Sequence, residues 1–121
     1  MKKTLFAAFL AANITAVPAA FADAKKGETL FKDKGATKCV VCHAIGKKVV
    51  GPDLAGVGKR HTHAWLVKWI TNTQATWDAN DAETADLKKR TKKEGKPKSA
   101  HSTPPISEAD AKDIADYLMA Q

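Results

Sequence analysis

The chain of 121 residues is 44% hydrophobic, carries 20 Lys and Arg against 13 Asp and Glu for a net charge of +7, and has only two cysteines. Its length allows one domain, its cysteine count leaves a four-ligand zinc site short of donors, and its basic balance favours acidic partners. Nucleic acid is excluded as that partner, because no nucleic-acid-binding motif accompanies the charge and the chain opens on an export signal.

That signal occupies residues 1–22. Lys2 and Lys3 form a positive opening, residues 5–17 are an apolar run rich in Ala, Leu and Phe, Pro18 breaks the run, and Ala20-Phe21-Ala22 sets small residues where a signal peptidase reads them. A spanning helix needs about 20 apolar residues, and this shorter run is also interrupted by Asn13 and Thr15. Cleavage after Ala22 and delivery to the periplasm are therefore expected, leaving one domain over residues 23–121. No later apolar run is long enough to cross a membrane, so the mature domain is expected to be soluble and monomeric, with no integral membrane segment. A domain this small buries a limited fraction of its surface and commonly needs a staple.

Residues 24–34 are predicted as the first helix, with Leu30 and Phe31 on its apolar face, Gly27 one turn before Phe31, and Gly35 as its stop. Cys39-Val40-Val41-Cys42-His43 follows, then a loop punctuated by Gly46, Gly51-Pro52, Gly56 and Gly58. Trp65, Leu66, Trp69 and Ile70 recur at helical spacing and predict a second helix over about 63–71. From Asp78 to Lys98 the chain is densely charged. Asp78, Asp81, Glu83 and Asp86 precede Lys88, Lys89, Arg90, Lys92 and Lys93, an order that suits a helix dipole. About 81–93 is predicted as an exposed helix with Leu87 on its thin apolar side. A loop over 96–105 carries Pro97, Pro104 and Pro105. Ser107 then caps a last helix, Asp110 completes a capping-box variant, and Ala111, Ile114, Ala115 and Leu118 line its buried face. Neither an internal repeat nor an alternation of strands and helices is present, so the fold class is all-α: short helices around one site.

The chemistry lies in Cys39-Val40-Val41-Cys42-His43, which fits the attachment pattern of one covalent haem c. Two thiols add to the haem vinyl groups as thioethers, the two intervening residues set the sulfurs at the spacing of those vinyls, and His43 turns its imidazole to the iron. A structural disulfide between the two cysteines would close too small a loop to stabilise much. A thioredoxin-like pair would need a βαβ context, which is missing. The haem itself is an apolar plate that supplies core to a small domain.

Over nearly the whole of residues 23–121 the chain resembles class I c-type cytochromes. The resemblance rests on Gly27 and Phe31 ahead of the motif, on Gly51-Pro52-Asp53-Leu54 and Gly56-Val57-Gly58-Lys59-Arg60 after it, and on the closing stretch from Ile106 to Leu118. It implies the cytochrome c fold, with the first and last helices crossing at Gly27 and Phe31 near Tyr117. It implies that the Pro52 carbonyl accepts a hydrogen bond from the second nitrogen of His43. Arg60, Trp65 and Trp69 would cover the haem edge within reach of a propionate, although plain core packing is the other role open to the two tryptophans. The resemblance further implies an electron carrier, not an enzyme, working between periplasmic redox proteins with acidic docking surfaces. Lys38, Lys47 and Lys48 flank the site for that contact.

At the sixth iron ligand the chain departs from the family pattern. The loop before the last helix, where the family usually supplies a methionine, has none. His101 is the one good iron donor in that loop and is expected to be the ligand. His61 and His63, just before the second helix, and Met119, beside Leu118, are its competitors. A Thr103 hydroxyl at the usual methionine position would leave the iron open. An open position would suit a haem sensor or gas-binding protein, or a peroxidase-like enzyme with His101 as its acid–base group. Ligation by two imidazoles, without methionine, implies a lower-potential carrier.

Overall fold

Two helices from opposite ends of the chain cross with their backbones in contact. In this computed structural model, residues 20–121 are described, with side chains from Asp23 onward. The predicted export signal, residues 1–22, lies outside the described residues save for the backbone of 20–22. The described elements are α1 (Ala20–Lys32), α2 (Cys39–Cys42), a 3-10 turn (Val57–Lys59), α3 (His63–Thr71), α4 (Thr73–Ala79), α5 (Ala82–Arg90) and α6 (Glu108–Met119). No strand occurs among the described residues, as an all-α reading requires.

The crossing is between α1 and α6, at Gly27. A Cβ there would collide with the Asp113 carbonyl and come within 3.0 Å of Ile114 N, so glycine is what permits the approach. Contacts on either side run in the same order along both helices. Lys26 Nζ lies 3.4 Å from Asp110 Oδ1 and 2.6 Å from Asp113 Oδ2, and the Phe31 ring lies 5.4 Å from that of Tyr117. Ala111, Ile114, Ala115 and Leu118 are all buried, and α3 packs against α6 as well. Trp65, Leu66 and Ile70 of α3 join Phe31 and Val57 in the same core. Ser107 caps α6 by accepting from Asp110 N at 3.1 Å, while the Asp110 carboxylate turns outward to Lys26.

Helix α1 ends earlier than Gly35, where the stop was expected. The Asp33 carboxylate accepts from Gly35 N and Ala36 N, both at 2.8 Å, and so offers those amides a turn in place of the helix. Thr37, buried, donates its hydroxyl to Leu30 O at 2.6 Å and seals the exposed end of the helix. Helix α3 spans the predicted residues, its first turn capped by the Thr62 hydroxyl, which accepts from Trp65 N at 3.2 Å.

Helix α4 was not predicted. Asn72 makes it: its backbone ends α3, and its side chain accepts from Ala75 N at 3.1 Å, starting a second helix in a new direction. Helix α5 is shorter than the predicted 81–93. Asp81 is its cap, accepting from Thr84 N at 2.9 Å, and Lys92 in the left-handed region (φ 56°) closes its other end. Nor is α5 merely a solvated face. Thr84 is fully buried; it accepts from Trp65 Nε1 at 2.9 Å and donates to Thr76 O at 3.3 Å, which ties α3, α4 and α5 together through one hydroxyl.

The Gly27 contact is backbone against backbone and cannot be relieved by a side-chain rotation. Gly27→Ala is expected to lower holoprotein stability by about 3 kcal/mol, the upper end of overpacking costs, read from denaturant midpoints. An unchanged midpoint would mean the helices can separate without cost.

Candidate functional site

The motif is delivered by a reversal of the chain. Lys38 sits in the left-handed region (φ 61°) and turns the backbone into α2. His43 N donates to Cys39 O at 2.9 Å, so Cys39 to His43 forms one closed turn, from which His43 departs in an extended conformation. Both cysteines are free and half-buried, and burial pushes the Cys39 thiol pKa up.

The following loop fixes the His43 ring. Nδ1 lies 2.9 Å from Pro52 O; a carbonyl only accepts, so Nδ1 carries the proton and Nε2 is left with its lone pair. The ring lies flat against Gly51, where a Cβ would come within 2.8 Å of Nδ1 and 2.9 Å of Nε2. Asp53, which was not singled out as a site residue from the sequence, holds the loop from inside. Its Oδ1 accepts from Gly46 N and Ala55 N, both at 2.8 Å, and those two amides keep its carboxyl below the usual range.

Arg60 approaches the same loop from the 3-10 turn. It donates from Nη1 to Ala55 O at 2.9 Å and from Nη2 to Asp53 O at 3.2 Å. Two of the guanidinium's five N–H donors thus hold the backbone of the segment that carries Pro52.

His101 faces His43. The ring centroids are 6.1 Å apart and the planes are inclined by 41°. Metal–imidazole bonds of about 2 Å on each side, added to the distance from ring nitrogen to ring centre, span roughly this separation. That separation suits one metal ion held between two imidazoles, and the free thiols of Cys39 and Cys42 beside His43 suit covalent attachment of the macrocycle. His101 Nδ1 lies 3.0 Å from Thr73 Oγ1, and His101 N donates to Ser99 Oγ at 3.0 Å. Burial pushes the imidazole pKa down to about 4, with the neighbouring His43 adding to the effect.

The competing donors are engaged elsewhere. His61 is buried and stacked on Trp65 at 3.9 Å. Arg90 Nη2 donates to its Nε2 at 2.9 Å, so its Nδ1 proton faces Glu83 Oε2 at 3.2 Å. His63 Nε2 is buried 2.8 Å from Asp116 Oδ1, on the α6 side of the core, without forming a hydrogen bond. Met119 closes α6, partly exposed, its backbone packed on Gly58. The two tryptophans divide their roles. Trp65 gives its single N–H to Thr84 and packs in the core, the second of the two roles left open for it. Trp69 is half-buried, with its ring 5.3 Å from His101 and 5.1 Å from Trp65. Thr73 and Asp53 are the residues that sequence reasoning missed. Asp53 stood only as one letter of the Gly51-Pro52-Asp53-Leu54 stretch, Thr73 belongs to no motif, and the partner of Thr73 lies 28 residues away.

A protein-family model described as Cytochrome c matches residues 24–121. No curated protein and no solved structure matches the chain.

His61 gives the fold an acid-side weakness. Burial is the main cause that lowers its pKa from the ordinary 6.5, so as pH falls the unfolded chain takes up the proton first. The stability is complete above about pH 6.5 and declines below it. His61→Gln is expected to flatten the fall in denaturant midpoint between about pH 7 and pH 5; equal slopes in both proteins would assign the fall to other groups.

Proposed function

The chain belongs to the cytochrome c family, and from that premise we propose that it is a one-electron carrier that would hold a single haem c through Cys39 and Cys42, with His43 and His101 as the side chains that would bind its iron. The observation that carries this reading is the pair of facing imidazoles with centroids 6.1 Å apart. Bound there, the haem supplies an iron that takes up one electron and gives it back. His43 keeps its Nδ1 proton on Pro52 and presents Nε2 in a fixed direction. Such a bond also raises the basicity of the ligand, and Gly51, Asp53 and Arg60 keep the accepting carbonyl in place. His101 closes the opposite side. With both positions filled by side chains no place is left for a substrate, which suits transfer of electrons and not catalysis. Two imidazoles without a methionine keep the potential low.

No helix of the described residues is long and apolar enough to cross a membrane. We place the protein in the periplasm, reached through residues 1–22, as a monomer that docks on acidic faces of larger redox proteins. Exposed Val41, Ile45, Val49 and Val50, interleaved with exposed Lys38, Lys47 and Lys48, lie around the motif and suit a brief contact of that kind.

The parent is expected to be low-spin in both redox states, and His101→Ala to turn the ferric haem high-spin in its absorption spectrum. A mutant that keeps the parent's low-spin spectrum would remove His101 as the ligand, and a methionine-to-ferric charge-transfer band in the parent would point to Met119. Electron transfer to an acidic partner is expected to slow as salt rises through ~0.1 M, where charges are screened over ~10 Å. A rate indifferent to salt would leave the lysines no part in docking.

A further inference from the structure

The hydroxyl of Thr73, the first residue of α4, stands between two acceptor-capable groups. It lies 2.7 Å from Trp69 O and 3.0 Å from His101 Nδ1. The carbonyl can only accept, so the one hydroxyl proton goes to Trp69 O. Toward His101 the oxygen is then left as an acceptor, and Nδ1 carries the proton. A neutral imidazole protonated at Nδ1 has its lone pair on Nε2. His43 has the same arrangement: its Nδ1 proton faces the Pro52 carbonyl at 2.9 Å. Both facing rings thus offer the same atom, Nε2. One ring is fixed directly by a backbone carbonyl, the other by a backbone carbonyl relayed through a hydroxyl.

We propose that Thr73 is a positioning residue for the distal ligand, fixing the tautomer and direction of His101 and strengthening its donation to iron by accepting a hydrogen bond from Nδ1–H. This rests on His101 being the sixth ligand. The loop that carries His101 has no regular secondary structure. Apart from its internal bond to Ser99, the polar contact of His101 with the helical frame is this one. A hydrogen bond accepted from Nδ1–H shifts electron density toward Nε2 and favours the ferric state, so Thr73 lowers the reduction potential as well as orienting the ring. In the relay each bond polarises the next, which strengthens both.

The test is made on the haem-loaded protein with Thr73→Val, which keeps the shape and removes the hydroxyl, and Thr73→Ser, which restores it. Thr73→Val is expected to stay low-spin while its equilibrium constant for reduction rises by up to roughly tenfold, or about 59 mV for a one-electron couple. Cyanide should enter the ferric site roughly tenfold faster as His101 swings away more often, and Thr73→Ser should return both quantities to parental values. A merely structural threonine would change unfolding midpoints and leave potential and cyanide entry unmoved; that result overturns the proposal. If Thr73→Val does not fold, proton spectra of the unaltered holoprotein decide, because the His101 Nδ1 proton must be present and slow to exchange. Its absence also overturns the proposal. His101→Ala read alongside separates the two levels. A spin change there together with parental values in Thr73→Val rejects the role of Thr73 alone, and no spin change rejects His101 as ligand and Thr73 with it.

Discussion

Two helices can touch backbone to backbone only where one of them lacks a side chain, and α1 does so at Gly27, against Asp113 and Ile114. The two helices come from opposite ends of the domain, so this contact determines where the intervening chain begins and ends. The end of α1 delivers Lys38 and the motif, and the start of α6 receives the loop that carries His101. Loosening the crossing would therefore act on both faces of the site although no site residue takes part in it. The core follows from the same contact, since two of the alanines of α6, Ala111 and Ala115, are fully buried and leave room for α3 beside α1.

Where periodicity was long and uninterrupted, the sequence was readable. Trp65, Leu66, Trp69 and Ile70 placed α3, and Ala111, Ile114, Ala115 and Leu118 placed α6 behind its serine cap. Elements set by single side chains were not readable. The Asp33 carboxylate ends α1 before the more conspicuous Gly35 is reached. Helix α4 has seven residues and two buried positions, Thr76 and Trp77, too few to show a period, and it exists because Asn72 supplies a cap in mid-run. Thr84 is the plainest case. In a stretch dominated by charge it reads as one more polar residue, and its burial follows from the indole of Trp65, 19 positions earlier.

The site divides along the same line. Its proximal half is contiguous: spacing alone puts two thiols and an imidazole on one turn, and Gly51-Pro52 follows within the reach of a loop. Its distal half is assembled from three separate parts of the chain, at Trp69, Thr73 and His101. Singling out His101 as the candidate ligand needed only its being the one good iron donor in its loop. Seeing what orients the ring needed coordinates. The roles of Arg60 and Trp65 were expected from resemblance; the structure adds bonds within the protein, two from Arg60 to loop carbonyls and the one indole N–H of Trp65 to Thr84. That is what a small domain does with donors it would otherwise leave buried without partners.

The break between α3 and α4 at Asn72 has a consequence for the loop that closes the site. The first turn of α4 makes three of the loop's bonds: Thr73 to His101, Gln74 Nε2 to Pro97 O at 3.2 Å, and Gln74 Oε1 from Ser99 N at 3.2 Å. All three point where they do because the backbone leaves the helical conformation at Asn72 (φ -151°, ψ 80°) before α4 begins. The asparagine thus acts as a rudder: its hydrogen bonds go to Lys68, Ala75 and Thr76 and none to the loop, yet the heading it gives to α4 decides where the loop comes to rest. Were α3 and α4 one straight helix, those two residues would point elsewhere and His101 would be left without its mooring, with every residue of its own loop unchanged.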